Sequence, residues 1–194
     1  TPVQAKLNLI LGMNLDIEYI MPAHGIIWKD YIADIIETYK DIATQKAANK
    51  AVIVYESVWK HTQQIAESLA EGFSDADMDV KVYQLSDTKS SIVMREIMDA
   101  KVVCIGSGTY NNVMAPSVAA FLEHIRPCKF KNKKGLAFAA YGWFNQVAKE
   151  IDTRMQQSGI ESCHDVINQC YTPSDDQLED YFNVAKEIAK KCQE

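Results

Sequence analysis

Ala51-Val52-Ile53-Val54-Tyr55, followed by Glu56-Ser57-Val58-Trp59-Lys60-His61-Thr62, is the stretch on which the fold turns. Its first five residues are apolar without alternation, the pattern of a strand buried on both faces. Helical spacing then runs from Thr62 to Gly72, with Ile65, Ala66, Leu69 and Phe73 on one side and Gly72 near the stop. A doubly buried strand running straight into an amphipathic helix is the opening of a βαβ unit.

The alternation continues to the C-terminus. Val80 to Tyr83 reads as a second strand, with Leu85 at its margin, and Ser90-Ser91 as the cap of a helix carrying Val93, Met94, Ile97 and Met98. Val102 to Ile105 is a third strand, ended by Gly106-Ser107-Gly108. Pro116 falls in the first turn of the next helix, where its missing N–H is harmless, and that helix stops before Pro127. Gly135 to Ala140 is a fourth strand, and Gln146 to Gln157 a helix with Gly159 as its stop signal. Cys163 to Ile167 is the expected fifth strand. Ser174 caps a last helix, with Leu178, Tyr181, Phe182, Ala185, Ile188 and Ala189 facing inward. This pattern implies an α/β fold, a doubly wound five-stranded parallel sheet with helices on both faces. The flavodoxin-like order 2-1-3-4-5 suits the length, and puts the ligand site at the carboxyl ends of strands 1 and 3.

Residues 1–49 break the pattern. Thr1-Pro2 starts a helix through about Leu11, Ile17 to Met21 is a short extended run, and Trp28 to about Lys46 reads as a helix with Tyr31, Ile32, Ile35, Ile36, Tyr39 and Ile42 on one face. Two helices and one short strand resemble the tail of a neighbouring domain. The first residue is Thr1, so the sequence is expected to be a processed chain or a fragment of a longer one. The net charge of −6 argues against nucleic acid or an anionic membrane as partner. No apolar run reaches the ~18 residues of a membrane span, and no signal peptide is expected. The five cysteines are odd in number without a C-x-x-C pair, which reads as reduced thiols of a cytoplasmic protein.

The loops at the expected ligand end carry the chemistry. Ser57 to Thr62 opens a helix, where unpaired N–H groups and the helix dipole favour a phosphate. The Ser57 and Thr62 hydroxyls add donors, with Lys60 and His61 close by; the plain alternative is a βα turn capped by Thr62. Gly106-Ser107-Gly108-Thr109-Tyr110-Asn111-Asn112 has Asn111 where a G-x-G-x-x-G fingerprint needs glycine, and follows the third strand, so it is not a dinucleotide motif. Its small, amide and aromatic residues suit a flat heterocycle. Tyr141-Gly142-Trp143-Phe144 follows strand 4, as a ring wall or as packing for another domain. A phosphorylation receiver of the same fold is excluded, because Glu56 is the only acid in the first loop and strand 3 ends in Gly106-Ser107.

Ser57-x-Trp59-x-x-Thr62, Gly106-Ser107-x-Thr109-x-Asn111-Asn112 and Tyr141-Gly142-Trp143 together resemble the flavodoxin domain of the flavodiiron proteins. Pro22-Ala23-His24-Gly25-Ile26-Ile27-Trp28 resembles the last stretch of their metallo-β-lactamase-like domain. The resemblance implies residues 1–49 as the remnant of that domain and residues 50–194 as an FMN-binding domain. FMN would then relay electrons from a carrier such as rubredoxin to a diiron centre that reduces dioxygen to water or nitric oxide to nitrous oxide. It further implies a head-to-tail homodimer, FMN contacts from Ser57, Val58, Trp59, Lys60, His61, Thr62, Ser107, Gly108, Thr109, Tyr110, Asn111, Asn112, Ala140, Tyr141, Gly142 and Trp143, and a metal-ligand role for His24 in an intact parent protein. The family's H-x-E-x-D-H ligand motif is absent from these 194 residues, so the diiron centre is expected outside them. Lys60-His61, Gly108 and Phe144-Asn145-Gln146 depart from the family pattern. Two other readings share the fold: a stand-alone NAD(P)H-dependent flavin or quinone reductase, and a binding module without flavin.

Overall fold

The computed structural model describes residues 2–193, so the expected helix start at Thr1 lies outside the described residues. The chain divides into two compact units between Lys46 and Ala47.

In the first unit, α1 spans Pro2–Gly12 and α2 spans Ile32–Thr44. The extended run expected over Ile17 to Met21 reduces to one antiparallel bridge, in which Ile20 and Trp28 exchange backbone hydrogen bonds of 2.9 and 3.0 Å. That bridge holds Trp28 extended, so α2 begins four residues later than the apolar spacing predicts. Tyr31, in the left-handed region at φ 60°, marks the change of direction.

In the second unit, β1 (Lys50–Glu56) is central, with β2 (Asp79–Gln84) on one side and β3 (Val102–Tyr110) on the other, both parallel to it. β5 (Lys134–Tyr141) follows β3, and β6 (Glu161–Ser162) and β7 (Ile167–Cys170) both pair parallel with β5. β4 (Val113–Met114) is a short antiparallel addition to β3. The expected order therefore holds. The fifth strand does not lie at Cys163 to Ile167: two short pieces flank that segment, and the longer one begins where the expected strand ends. Cys163 donates its N–H to Gly135 O at 3.0 Å, and the chain then leaves the sheet before rejoining at Ile167.

Parity along β1 sorts the core. Ala51, Ile53 and Tyr55 pack with Ile65, Leu69 and Phe73 of α3 (His61–Asp75) and with Ala185, Ile188 and Ala189 of α7 (Asp175–Gln193). Val52 and Val54 pack on the opposite face, with α4 (Ser90–Met98), α5 (Pro116–Ile125) and α6 (Val147–Gln157). A strand with no solvent face needs no alternation, which is why its sequence shows none.

Helix ends differ from expectation in instructive ways. Ser174 and Gln177 form a reciprocal capping box on α7: Gln177 N–H donates to Ser174 Oγ at 3.3 Å, and Ser174 N–H to Gln177 Oε1 at 3.0 Å. Gly159 follows α6 at φ +90°, as its stop role requires. Neither Thr62 nor Ser90 caps its helix; Lys60 and Lys89 hold the cap positions without a side-chain bond. Gly72 does not stop α3 either. A Cβ there would lie 2.2 Å from Phe182 O and 2.8 Å from Ala185 Cβ, so the glycine lets α3 and α7 touch.

Lys133 is 2% exposed at the amino end of the sheet, where it donates to Met98 O and Ala100 O, each at 2.9 Å. Met98 is the last residue of α4 and Ala100 lies just beyond it, and a cation there opposes the helix dipole favourably. Burial nonetheless pushes its ammonium down to about 8.

Two outcomes follow from these contacts. Gly72→Ala is expected to cost about 1–3 kcal/mol in urea unfolding despite alanine's better helix propensity, because backbone of α7 must retreat. For Lys133 the folded value lies below the unfolded 10.5, so between pH 8 and 10.5 the unfolded chain binds the extra proton. Its contribution to stability therefore rises with pH across that window. The stability of wild type relative to Lys133→Met should move in favour of wild type from pH 8 to 10, by at most about 1.4 kcal/mol per pH unit.

Candidate functional site: a cavity at the carboxyl end of the sheet

Because β2 and β3 lie on opposite sides of β1, the loops leaving β1 and β3 diverge and open a crevice at their carboxyl ends. A cavity of about 390 Å³ occupies it, walled by four loops.

The first wall is the β1–α3 loop. Ser57, Val58, Trp59, His61 and Thr62 line the cavity, whereas Lys60 does not. Lys60 is exposed and takes φ 67°, a left-handed turn that swings the chain into α3. The first N–H groups of α3 have no partner within the helix. Among the described residues, the hydroxyls of Ser57 and Thr62 have no hydrogen-bond partner in the chain, although Thr62 is only 1% exposed. Donors that face a cavity without internal partners suit an anion.

The second wall corrects the sequence reading. Val102 to Tyr110 is one continuous strand, and the expected open loop is a two-residue hairpin into β4. Asn111 at φ 46° and Asn112 at φ 68° make the turn, both in the left-handed region that asparagine tolerates. They are exposed at the hairpin tip and do not line the cavity. Ser107 is fully buried and also faces away: its Oγ donates to Gly108 O at 2.7 Å and accepts from Ala115 N–H at 2.8 Å, fastening the hairpin to the start of α5. Gly108, Thr109 and Tyr110 do line it. Burial first, and then the Glu56 carboxylate, push the Tyr110 phenol above its usual range.

The third wall is the end of β5, where Ala140, Tyr141, Gly142 and Trp143 line the cavity. Thr109 Oγ1 donates to Phe144 O at 3.4 Å, linking this wall to the hairpin. Trp59 and Trp143 are each 80% exposed although both line the cavity, so large apolar rings stand open at its mouth.

The fourth wall escaped sequence reading. Tyr171 follows β7, lines the cavity and donates its N–H to Tyr141 O at 2.8 Å. It takes φ 55°, and its ring lies 3.4–3.6 Å from where a Cβ on Gly142 would stand. Next to it Thr172 Oγ1 meets His61 Nδ1 at 3.2 Å, tying this wall to the first. Placing the fifth strand four residues early moved its end away from Tyr171. With the strand at Ile167–Cys170, Tyr171 falls directly after a strand end, like Ser57 and Gly142.

Glycine use separates the cavity from the core. Gly106 has no room for a Cβ, which would fall 2.1 Å from the fully buried Phe138 ring. Gly108, beside it, would meet only ordinary contacts, 3.5 Å to Tyr110 and 3.7 Å to Thr62 Oγ1. Nothing in the chain's own packing demands glycine at 108 or 142.

His24 is exposed in the first unit. Among the described residues, no three His, Cys, Asp or Glu side chains are grouped to hold a metal ion, and no helix is long and apolar enough to cross a membrane.

Residues 53–191 match the flavodoxin family. The anaerobic nitric oxide reductase flavorubredoxin of Pectobacterium carotovorum subsp. carotovorum is 32% identical over 191 residues, 97% of this chain and 38% of the relative. The nitric oxide reductase of Moorella thermoacetica is 38% identical over 82% of this chain and 40% of its own length. Among solved structures, rubredoxin oxygen:oxidoreductase from Desulfovibrio gigas superposes with a TM-score of 0.93 at 30% identity, covering 98% of this chain and 48% of that one. The flavodiiron protein of Giardia intestinalis gives 0.90 at 25% identity, with the same coverage. The chain thus spans less than half the length of these relatives, and the likeness runs through both of its units. On the family match across the second unit, and on a sheet order and crevice that agree with it, this chain belongs to the flavodoxin family.

Proposed function

We propose that the second unit binds FMN in the four-walled cavity and relays electrons, as the flavin-bearing part of a flavodiiron-type protein. The observation that carries this reading is the pairing of free donors with unclaimed space. Ser57 and Thr62 keep their hydroxyls unbonded at a helix N-terminus, beside a glycine whose Cβ space no residue needs. A phosphate at the helix start and a flat ring between aromatic walls fit that arrangement.

Within it, Ser57 and Thr62 donate hydrogen bonds to the phosphate, and the N–H groups opening α3 supply the field of the helix dipole. His61 is held in place by Thr172. Trp59, Tyr110, Trp143 and Tyr171 shield a ring from water, and Gly108 and Gly142 let it approach the backbone. When bound, FMN supplies the redox chemistry, so no acid, base or nucleophile of the chain is required. Lys60, Ser107, Asn111 and Asn112 act in this reading as shapers of the loops.

The wider context is part of the same proposal. A relative named for rubredoxin and oxygen supports a small carrier such as rubredoxin as donor and dioxygen as terminal acceptor, and the nitric oxide reductases support nitric oxide in that place. Most ligands of the diiron centre that would reduce it lie outside these 194 residues, with His24 contributing one from a metallo-β-lactamase-like domain that ends near residue 49. A head-to-tail homodimer in the cytoplasm completes the reading.

Titration of flavin fluorescence tests it. The protein should quench FMN stoichiometrically, and absence of flavin absorption bands after FMN addition and desalting would overturn the proposal. Thr62→Ala should weaken FMN by roughly 10- to 100-fold, the worth of one hydrogen bond to a charged group. Gly108→Ala should weaken FMN binding by at least tenfold while changing urea stability by less than about 1 kcal/mol, because its Cβ meets only ordinary contacts within the chain.

A further inference from the structure

Glu56 ends β1 directly before the first wall of the cavity and is 8% exposed. Its Oε1 accepts from three donors: Ser57 N–H at 3.1 Å, Gln84 Nε2 at 3.0 Å and Ser86 Oγ at 3.3 Å. Its Oε2 accepts from Ser117 Oγ at 3.0 Å, in the first turn of α5. Among the described residues, no lysine or arginine forms a salt bridge with it; the partners are neutral dipoles. Burying a carboxylate is expensive unless its acceptor sites are filled, and here donors from β2, the β2–α4 connection, α5 and its own loop fill them.

One of those bonds bears on the cavity. Ser57 is gripped on both sides of its backbone: its N–H donates to Glu56, and its carbonyl accepts from the Gln84 amide at 3.4 Å. The peptide planes around Ser57 are thereby fixed while its hydroxyl stays unbonded. The carboxylate makes no hydrogen bond to that hydroxyl and is bonded instead to Gln84, Ser86, Ser117 and the Ser57 N–H.

We infer that Glu56 is the positioning residue of the phosphate-binding loop: through Ser57 N–H and Gln84 it sets the loop so that Ser57, Thr62 and the N–H groups of α3 converge on a phosphate. The inference rests on the FMN reading above and deepens it. It accounts for an apparent conflict, a buried negative charge next to a site for a dianion. Four converging donors neutralise the carboxylate locally, and its geometric role outweighs the remaining repulsion. It also predicts where the effect is felt. Glu56 acts on the phosphate end of the ligand, whereas the ring is held by the other three walls.

The test compares FMN with riboflavin, which has the same ring and no phosphate, by fluorescence titration of wild type, Glu56→Gln and Glu56→Ala. Wild type should bind FMN more tightly than riboflavin. Glu56→Ala should lose at least tenfold in FMN affinity with riboflavin changed less than threefold. Glu56→Gln keeps an acceptor oxygen for Ser57 and Gln84 and should return FMN affinity to within threefold of wild type. Equal weakening of both flavins by Glu56→Ala, or an unchanged FMN-to-riboflavin ratio, overturns the inference. If Glu56→Ala does not fold, Gln84→Leu, which removes the grip on Ser57 from outside the cavity, should lower the same ratio, and a wild-type ratio there overturns it. A wild-type protein that binds neither flavin overturns the FMN reading itself, an outcome separate from any change in ratio between variants.

Discussion

Burial of β1 on both faces constrains everything else in the second unit. Every residue from Lys50 to Glu56 is buried, so the strand must be flanked by strands and covered by helices above and below. Parallel neighbours need crossover connections of one hand, so the covering helix changes face where the strand order reverses: α3 and α7 lie on one side of the sheet, α4, α5 and α6 on the other. With β2 to one side and β3 to the other, the loops at the carboxyl ends are forced apart. The crevice between them is a geometric consequence of covering one central strand, and the loops were then free to fill it with chemistry.

The unit pays for tightness in one place and keeps looseness in another, and its glycines record which is which. Gly72, Gly106, Gly135 and Gly159 stand where a Cβ would strike fixed neighbours at under 3 Å. Gly108 and Gly142 face a cavity where a Cβ would touch nothing closer than 3.4 Å. The first group is explained by the fold alone, whereas no neighbour within the chain demands the second. The free hydroxyls of Ser57 and Thr62 lie against that same space, which is why packing and hydrogen bonding point to one site.

Much of this was legible in the sequence because the signals are local. Continuous apolar runs marked β1, β3 and β5, and Ser174, Pro116 and Gly159 marked helix ends through their own chemistry. What stayed hidden depends on partners distant in sequence. Gly72 reads as a stop signal until Phe182 is seen against it. Asn111-Asn112 reads as ligand-binding amides, although paired residues tolerant of φ > 0 between apolar neighbours are equally the mark of a tight hairpin, and they form one here. Tyr171 was lost with the register of β7, whose few residues Ile167–Cys170 alternate between buried and exposed and include two polar side chains. Glu56 reads as the single acid of a loop too poor in acids for a receiver site; three of its four donors, Gln84, Ser86 and Ser117, come from other segments and could not be read from its neighbours.

The contact between α3 and α7 carries a consequence for how the chain is made. Ser68 and Leu178, joined by a hydrogen bond from Ser68 Oγ to Leu178 O, are 110 residues apart, and Ala185, Ile188 and Ala189 complete the layer over Ile53 and Leu69. During synthesis the opposite layer, built by α4, α5 and α6, has all its helices available first. The α3 side stays half covered until α7 clears the ribosome, leaving an apolar sheet face open for the whole of that interval. The last helix therefore acts as a closing latch on a nearly finished sheet, and the nascent chain is at its most adhesive just before it arrives.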